Sequence, residues 1–147
     1  MKRRILIVEN ETGVYNWLTN SLEADTFDMV WTRTAREALC RSLAERFDLV
    51  LLDLKLPDME GWKALDWFKS MHPFLPLVVL TDTVARSRRA TTLGADACLE
   101  KPPDAPRLSE AVTKLLAESH SARMTRLMDA LYGEVRTPAS EGKRRTF

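Results

Sequence analysis

Short apolar runs recur along the chain at residues 5–8, 27–31, 49–52 and 77–80, with a weaker one at 97–99. Ile5-Leu6-Ile7-Val8 and Leu49-Val50-Leu51-Leu52 are apolar at every position, not at alternate ones. Strands of that kind are covered on both faces, which predicts a parallel sheet between two helical layers. The intervening segments carry helical spacing. Val14, Trp17, Leu18 and Leu22 follow the first strand. Thr34-Ala35-Arg36-Glu37 has the capping-box form and leads into Ala38, Leu39 and Leu43. Ala64, Leu65, Phe68 and Met71 give a third apolar face, residues 84–93 a poorer one, and Leu108, Val112, Leu115 and Leu116 a fifth. Alternation of this kind predicts an α/β fold, a doubly wound (βα)5 unit with an open parallel sheet.

Beyond residue 118 the pattern changes. Ser119-His120-Ser121 interrupts the last helix, and Met124, Leu127, Met128 and Leu131 resume helical spacing until Gly133 and Pro138 end it. Residues 1–118 are therefore expected to form one domain. Residues 119–147 are expected to form a short amphipathic extension followed by a disordered basic tail (Lys143, Arg144, Arg145).

Charge adds little: 22 Lys+Arg against 21 Asp+Glu leave a formal net charge of +1. Near neutrality argues against a strongly basic nucleic-acid binder. Cys40 and Cys98 have no ligand spacing, and His72 and His120 are the only histidines, which argues against a structural zinc site. The first apolar run stops at Glu9-Asn10-Glu11, too short for a signal core or a membrane span. A soluble cytoplasmic protein is expected.

In an open α/β sheet, ligands sit beyond the carboxyl ends of the strands. The residues there are Glu9-Asn10-Glu11, Asp53, Thr81-Asp82 and Glu100-Lys101-Pro102. Polar residues commonly follow strands, so each position alone means little, but acids, a hydroxyl and an amine from four strands converge on one edge. The glycines, at 13, 61, 94, 133 and 142, form neither GxGxxG nor GxxxxGK[ST], so dinucleotide and phosphate-loop chemistry are excluded. A carboxylate cluster attracts a cation and repels a phosphate unless a metal intervenes.

Leu51-Leu52-Asp53-Leu54-Lys55-Leu56-Pro57-Asp58-Met59-Glu60-Gly61 resembles the phospho-acceptor segment of bacterial response-regulator receiver domains. Leu80-Thr81, Gly94-Ala95-Asp96-Ala97 and Lys101-Pro102 fall at that family's spacings, and the resemblance covers roughly residues 3 to 118. It implies strand order 2-1-3-4-5 and a phosphoryl acceptor, not an enzyme. Asp53 would take the phosphoryl group from a histidine kinase or phosphotransfer protein. Thr81 would hydrogen-bond a phosphoryl oxygen, Lys101 would pair with it, and Lys101-Pro102 would be a cis peptide. Nearby positive charge, from Mg²⁺ and the lysine, would offset the charge gathered in the transition state. Pairing of two copies through the fourth helix, fifth strand and fifth helix is implied as well. No membrane contact and no direct nucleic-acid binding by this domain are expected.

Several positions depart from the family pattern. Its usual pair of adjacent acids is Glu9-Asn10 here, and losing one full charge should weaken Mg²⁺, held by Glu9, Asn10, Asp53 and the Lys55 position, or abolish its binding. Asp82 stands where a small residue leaves the phosphoryl path open. Lys55 is expected either to bend its ammonium toward Glu9 or Asp53, partly replacing a metal, or to lie in solvent. Cys98 replaces an aromatic switch residue. His72 is expected at the surface, Trp62 and Trp67 in partly covered packing, and Arg86, Arg88 and Arg89 on a solvated face. Two functions therefore compete: a phosphorylatable receiver, and a receiver-like protein-interaction module that works without phosphate and with impaired Mg²⁺ binding. A DNA-binding regulator is disfavoured, since no helix-turn-helix of adequate length fits after residue 118. The sequence is also readable as the leading part of something larger, with residues 124–131 as its linker or dimer helix.

Overall fold

The computed structural model describes residues 2–22, 25–101, 104–130 and 132. Strands and helices alternate through the first unit (Met1–Ala117). They are β1 (Arg3–Val8), α1 (Thr12–Ser21), β2 (Phe27–Thr32), α2 (Ala35–Ala44), β3 (Leu49–Asp53), α3 (Gly61–Met71), β4 (Leu77–Thr81), α4 (Val84–Thr92), β5 (Ala97–Glu100) and α5 (Ala105–Ala117). All pairings are parallel and the order is β2-β1-β3-β4-β5. The expected doubly wound sheet and strand order are what the chain adopts.

The every-position apolar runs have the anticipated cause. Ile5, Ile7, Leu49, Leu51, Val78 and Leu80 enter one cluster with Leu18 of α1 and Leu108, Val112 and Leu115 of α5. Leu6, Val8, Val50, Leu52 and Val79 face the opposite cluster, with Ala38 of α2, Leu65 and Phe68 of α3 and Ala90 of α4. Successive strand side chains alternate between faces, so β3 and β4 must be apolar throughout to fill both layers. β3 and β4 are buried at every position, whereas edge strands β2 and β5 are only partly covered.

Local signals set the boundaries. Thr34 Oγ1 accepts the Glu37 N–H (3.1 Å), and the Glu37 carboxylate reaches back to the Arg33 N–H (3.4 Å), one residue beyond the N-cap N–H that a standard capping box uses. Leu43 and Met71, expected on apolar faces, are 62% and 51% exposed. Each lies in the last turn of its helix, where it no longer faces the sheet. His72, expected at the surface, is half-buried: its Nε2 lies 3.2 Å from Ser42 Oγ and its ring packs edge-on to Trp67. Trp62 and Trp67 are partly covered against the α2–α3–α4 layer.

Gly94-Ala95-Asp96-Ala97 is a folding device. Gly94 has φ +101°, the left-handed region that closes a helix. Its N–H reaches the Thr91 carbonyl (3.0 Å) and the Ala95 N–H reaches that of Ala90 (3.0 Å), the two bonds of a Schellman cap. Asp96 then exchanges two hydrogen bonds with Leu77, donating its N–H to the Leu77 carbonyl (2.9 Å) and accepting the Leu77 N–H on its carboxylate (2.8 Å). That pair fixes the register in which β5 joins β4, and with it where Lys101 emerges.

The second unit, Glu118–Phe147, is helical over residues 120–130. Ser119 caps it by accepting the Ala122 N–H on Oγ (3.1 Å), and Arg126 binds Glu118 through two 2.9 Å hydrogen bonds. Met124 and Met128 are exposed. The sequence-expected Leu131, basic tail and Lys101-Pro102 cis bond involve residues outside those described.

Replacing Gly94 by alanine places a Cβ in the left-handed region, which costs about 1–2 kcal/mol. Urea unfolding of Gly94→Ala should show that loss, with the m-value unchanged.

Candidate functional site

Because the sheet is parallel, every strand ends its carboxyl terminus on the same edge. Val8 pairs with Leu52, Asp53 with Leu80, and Thr81 with Glu100. Register therefore brings Glu9, Asp53, Thr81 and Lys101 to one edge, and backbone bonds extend the ladder past the strands. The Lys101 N–H donates to the Thr81 carbonyl (2.7 Å), the Leu54 N–H to that of Leu80 (3.2 Å) and the Glu9 N–H to that of Thr32 (3.0 Å).

Asp53 is the centre. Its carboxylate is 2% exposed. Oδ2 accepts the Lys101 ammonium at 2.7 Å and Oδ1 accepts the Lys55 backbone N–H at 2.9 Å. Burial opposes the charge on Lys101, but the hydrogen bond and charge of Asp53, with Glu9 and Glu11 behind it, hold the ammonium above its ordinary pKa. Thr81, buried, accepts the Thr83 N–H on Oγ1 at 3.4 Å.

Glu9 is wholly buried. Its Oε1 accepts the Glu11 N–H (3.1 Å), while Oε2 has no donor. Burial pushes the carboxyl up to about 8, and a hydrogen bond shared with Asp53 and the Asp53 charge act the same way; the Glu11 N–H and Lys101 pull it down. Two ionised carboxylates cannot hydrogen-bond each other. The pair is satisfied when it holds one proton, and otherwise Glu9 Oε2 is an orphaned buried acceptor. A divalent cation would meet the same need, so the donor set of Glu9 and Asp53 fits a hard cation. Asn10 and Glu11 are exposed. Among the described residues, no three His, Cys, Asp or Glu side chains gather to hold a metal.

The remaining candidates lie at the margin. Asp82 is exposed and pairs with Arg86 (3.6 Å). The Lys55 side chain is also exposed, so the ammonium does not bend toward Glu9 or Asp53, and the residue contributes its backbone instead. β3 ends at Asp53 and the chain folds back through the Lys55–Glu60 bridge, so strand alternation no longer aims that side chain. Beside the site runs an open cleft of about 640 Å³ between this loop and α4. Trp62 stands in it beneath the Arg89 guanidinium, 4.4 Å from the ring centroid. Arg86, Arg88 and Arg89 are all exposed. Cys98 is half-buried against the α2–α3–α4 layer.

Sequence reasoning missed two supports. Asp58 accepts the Ala35 and Arg36 N–H groups, 2.9 Å each, which ties the loop after Asp53 to the start of α2. Its place in the acceptor segment gave no hint of this, because the partner helix is distant in sequence. The Trp31 indole N–H donates to the Glu9 carbonyl at 2.7 Å. Gly61 packs so closely on the Leu54 backbone that an added Cβ would overlap it.

A family model described as the response regulator receiver domain matches residues 5–113. The chain is similar to the transcriptional regulatory protein PcoR of Escherichia coli, 31% identical over 97% of this chain and 65% of that protein. It is similar to the transcriptional activator protein IrlR of Burkholderia pseudomallei, 32% identical over 83% of this chain and 54% of that protein. It thus spans roughly half to two thirds of the length of these relatives. It also resembles the polar-differentiation response regulator DivK of Brucella anthropi, 26% identical over 81% of this chain and 100% of that protein. Among solved structures it matches a CheY-like receiver domain protein from Methanospirillum hungatei JF-1 (TM-score 0.72, 31% identity, 79% of this chain and 94% of that one). The receiver domain of NtrX from Brucella abortus matches with TM-score 0.73 and 28% identity, over 78% of this chain and 99% of that one.

The Glu9 carboxyl has a pH consequence. Its pKa rises from 4.5 to about 8 on folding, so between those values the folded chain holds a proton that the unfolded chain has released. Its stabilising contribution is complete below pH 4.5 and is lost as pH rises through 8. With EDTA present, the urea midpoint of the wild type should fall from pH 5 to pH 8.5, and that of Glu9→Gln should fall less.

Proposed function

The chain belongs to the response regulator receiver domain family, and we propose that it is a phosphorylatable receiver in which Asp53 is the acceptor. Receiver domains of two-component systems interact with histidine kinases or phosphotransfer proteins, and their general role is to accept a phosphoryl group on aspartate. They generally bind Mg²⁺ in the phosphorylation site. The observation that carries the reading is the buried ion pair of Asp53 Oδ2 with Lys101 Nζ at 2.7 Å. It places a buried carboxylate against an ammonium at the carboxyl edge of the sheet, where a nucleophile is needed.

An Asp53 oxygen attacks phosphorus, the bond from phosphorus to the donor imidazole nitrogen breaks, and its electron pair stays on the nitrogen. Lys101 follows the charge from the carboxylate to the transferred group as a point charge. The Thr81 hydroxyl donates to a phosphoryl oxygen. Glu9 and Asp53 are the residues that would hold Mg²⁺, which supplies positive charge against that gathered on the transferred group. The chain acts as an acceptor and not as an enzyme, in the cytoplasm, and α4, β5 and α5 are the face for pairing with a second copy.

One observation favours the competing reading of a phosphate-independent interaction module. Asn10 is exposed and uncharged, which leaves two carboxylates for the cation. Incubation with acetyl phosphate and Mg²⁺ followed by intact-mass measurement separates the two. The receiver reading expects one phosphate adduct, absent in Asp53→Ala. No adduct at saturating Mg²⁺ leaves the module reading in its place. Asn10→Asp restores a carboxylate beside Glu9, and direct Mg²⁺ titration should show it binding roughly tenfold tighter; unchanged affinity would refute the charge-deficit argument.

A further inference from the structure

Both main-chain polar groups of Glu9 are taken by the end of edge strand β2. The N–H donates to the Thr32 carbonyl (3.0 Å) and the carbonyl accepts the Trp31 indole N–H (2.7 Å). An indole has a donor and no acceptor, so this contact is its whole hydrogen-bonding capacity. The ring is braced. Tyr15 of α1 stacks on it, with centroids 3.8 Å apart and planes 8° off parallel. The Arg33 guanidinium lies 4.1 Å from the Trp31 ring centroid and donates to Thr12 Oγ1 (3.4 Å), the first residue of α1. Stacking and cation–π contact fix an indole that has few rotamers.

Past the Val8–Leu52 pair the chain leaves the sheet for α1, and two bonds from the end of β2, the Thr32 carbonyl on the Glu9 N–H and the Trp31 indole on the Glu9 carbonyl, hold its backbone there. The carboxyl accepts the Glu11 N–H on Oε1, leaves Oε2 buried without a donor, and lies close enough to Asp53 to interact with its carboxylate. We infer that Trp31 is a positioning residue for the acidic half of the site: its indole N–H, braced by Tyr15 and Arg33, pins the Glu9 carbonyl and so sets where the Glu9 carboxyl stands beside Asp53. Trp31 touches neither Asp53 nor a substrate and acts only through Glu9. The functional weight of the inference rests on the reading of Glu9 and Asp53 as the cation and phosphoryl pocket, whereas the positioning itself can be tested without cation or phosphate.

The wild-type chain supplies the first test. Of its four indole N–H groups, that of Trp31 should exchange slowest with water by NMR; faster exchange than at Trp17, Trp62 or Trp67 would overturn the proposal. Trp31→Phe keeps a ring on Tyr15 and removes only the donor. In that variant the Glu11 amide, whose acceptor is the Glu9 carboxyl, should exchange about tenfold faster than in the wild type after correction for the change at Leu51 in the core. Met29→Ala, which loosens β2 packing in the same apolar layer but keeps the donor and its stack, should leave the Glu11 amide within about twofold by the same correction, because no hydrogen bond is lost. A merely structural Trp31 would speed Glu11 and Leu51 together, and that result sinks the inference. Mg²⁺ titration of wild type and Trp31→Phe then reads the consequence: a several-fold weaker affinity in the variant is expected, and equal affinity refutes an effect on the pocket. Absence of Mg²⁺ binding in the wild type would instead count against the pocket reading, with the exchange data still deciding the role of Trp31.

Discussion

The site depends on placing an ammonium against a carboxylate that has left water. Desolvating either group alone is costly, and only close pairing with further hydrogen bonds makes the arrangement tolerable. Lys101 and Asp53 meet that condition at 2.7 Å, and the Lys55 N–H occupies the second carboxylate oxygen. Glu9 complicates the balance: one ammonium faces two buried acids, so the cluster has room for one more positive charge. Protonation supplies it in the free chain, and a cation or an incoming donor would compete for the same place. The chemistry of a receiver follows from this deficit.

That charge cluster is affordable because the fold delivers its members without strain. Among the described residues, no non-glycine has a positive φ. Register in a parallel sheet aligns strand ends, and the cluster is built from the first residue past β1, the last of β3 and the first past β5. Errors in register are costly here, since a one-residue slip exchanges the two apolar layers. The Asp96–Leu77 pair therefore bears on the site though it lies at the opposite end of β4 and β5: it sets which residue after β5 faces Asp53.

The fold was readable because continuous apolar runs have one economical explanation, two covered faces, and because the alternation of short and longer periodic segments admits few topologies. Glu9, Asp53, Thr81 and Lys101 were readable for a related reason, since each directly follows or ends a strand. Lys55 was harder: its position two after Asp53 left open an ammonium bent toward the site or one in solvent, and because the strand stops first the side chain lies in solvent and only the backbone arrives. Asp58 and Trp31 left no signal. A carboxylate capping a helix more than twenty residues earlier, or an indole bonded to a carbonyl on the neighbouring strand, is a tertiary event with no local pattern. His72 was misjudged similarly, because Ser42 and Trp67 become its neighbours only once α2 and α3 pack.

The exchange of an acidic pair for Glu9-Asn10 makes sense when side-chain length is considered. A glutamate just past β1 has one more methylene than an aspartate, enough for one oxygen to return to the Glu11 N–H while the carboxyl stays beside Asp53. Acidity that a pair would share between a buried and a more exposed carboxylate is concentrated in one buried group. Such a group is poorly hydrated, so its position governs its effect more than its charge does, because Coulomb interactions in a low-dielectric setting change steeply over a few tenths of an ångström. A device that fixes its backbone then has more influence than it would beside a solvated acid, which can adjust freely. The Tyr15–Trp31–Arg33 stack sits at the end of edge strand β2, where no further strand of the sheet competes for that role.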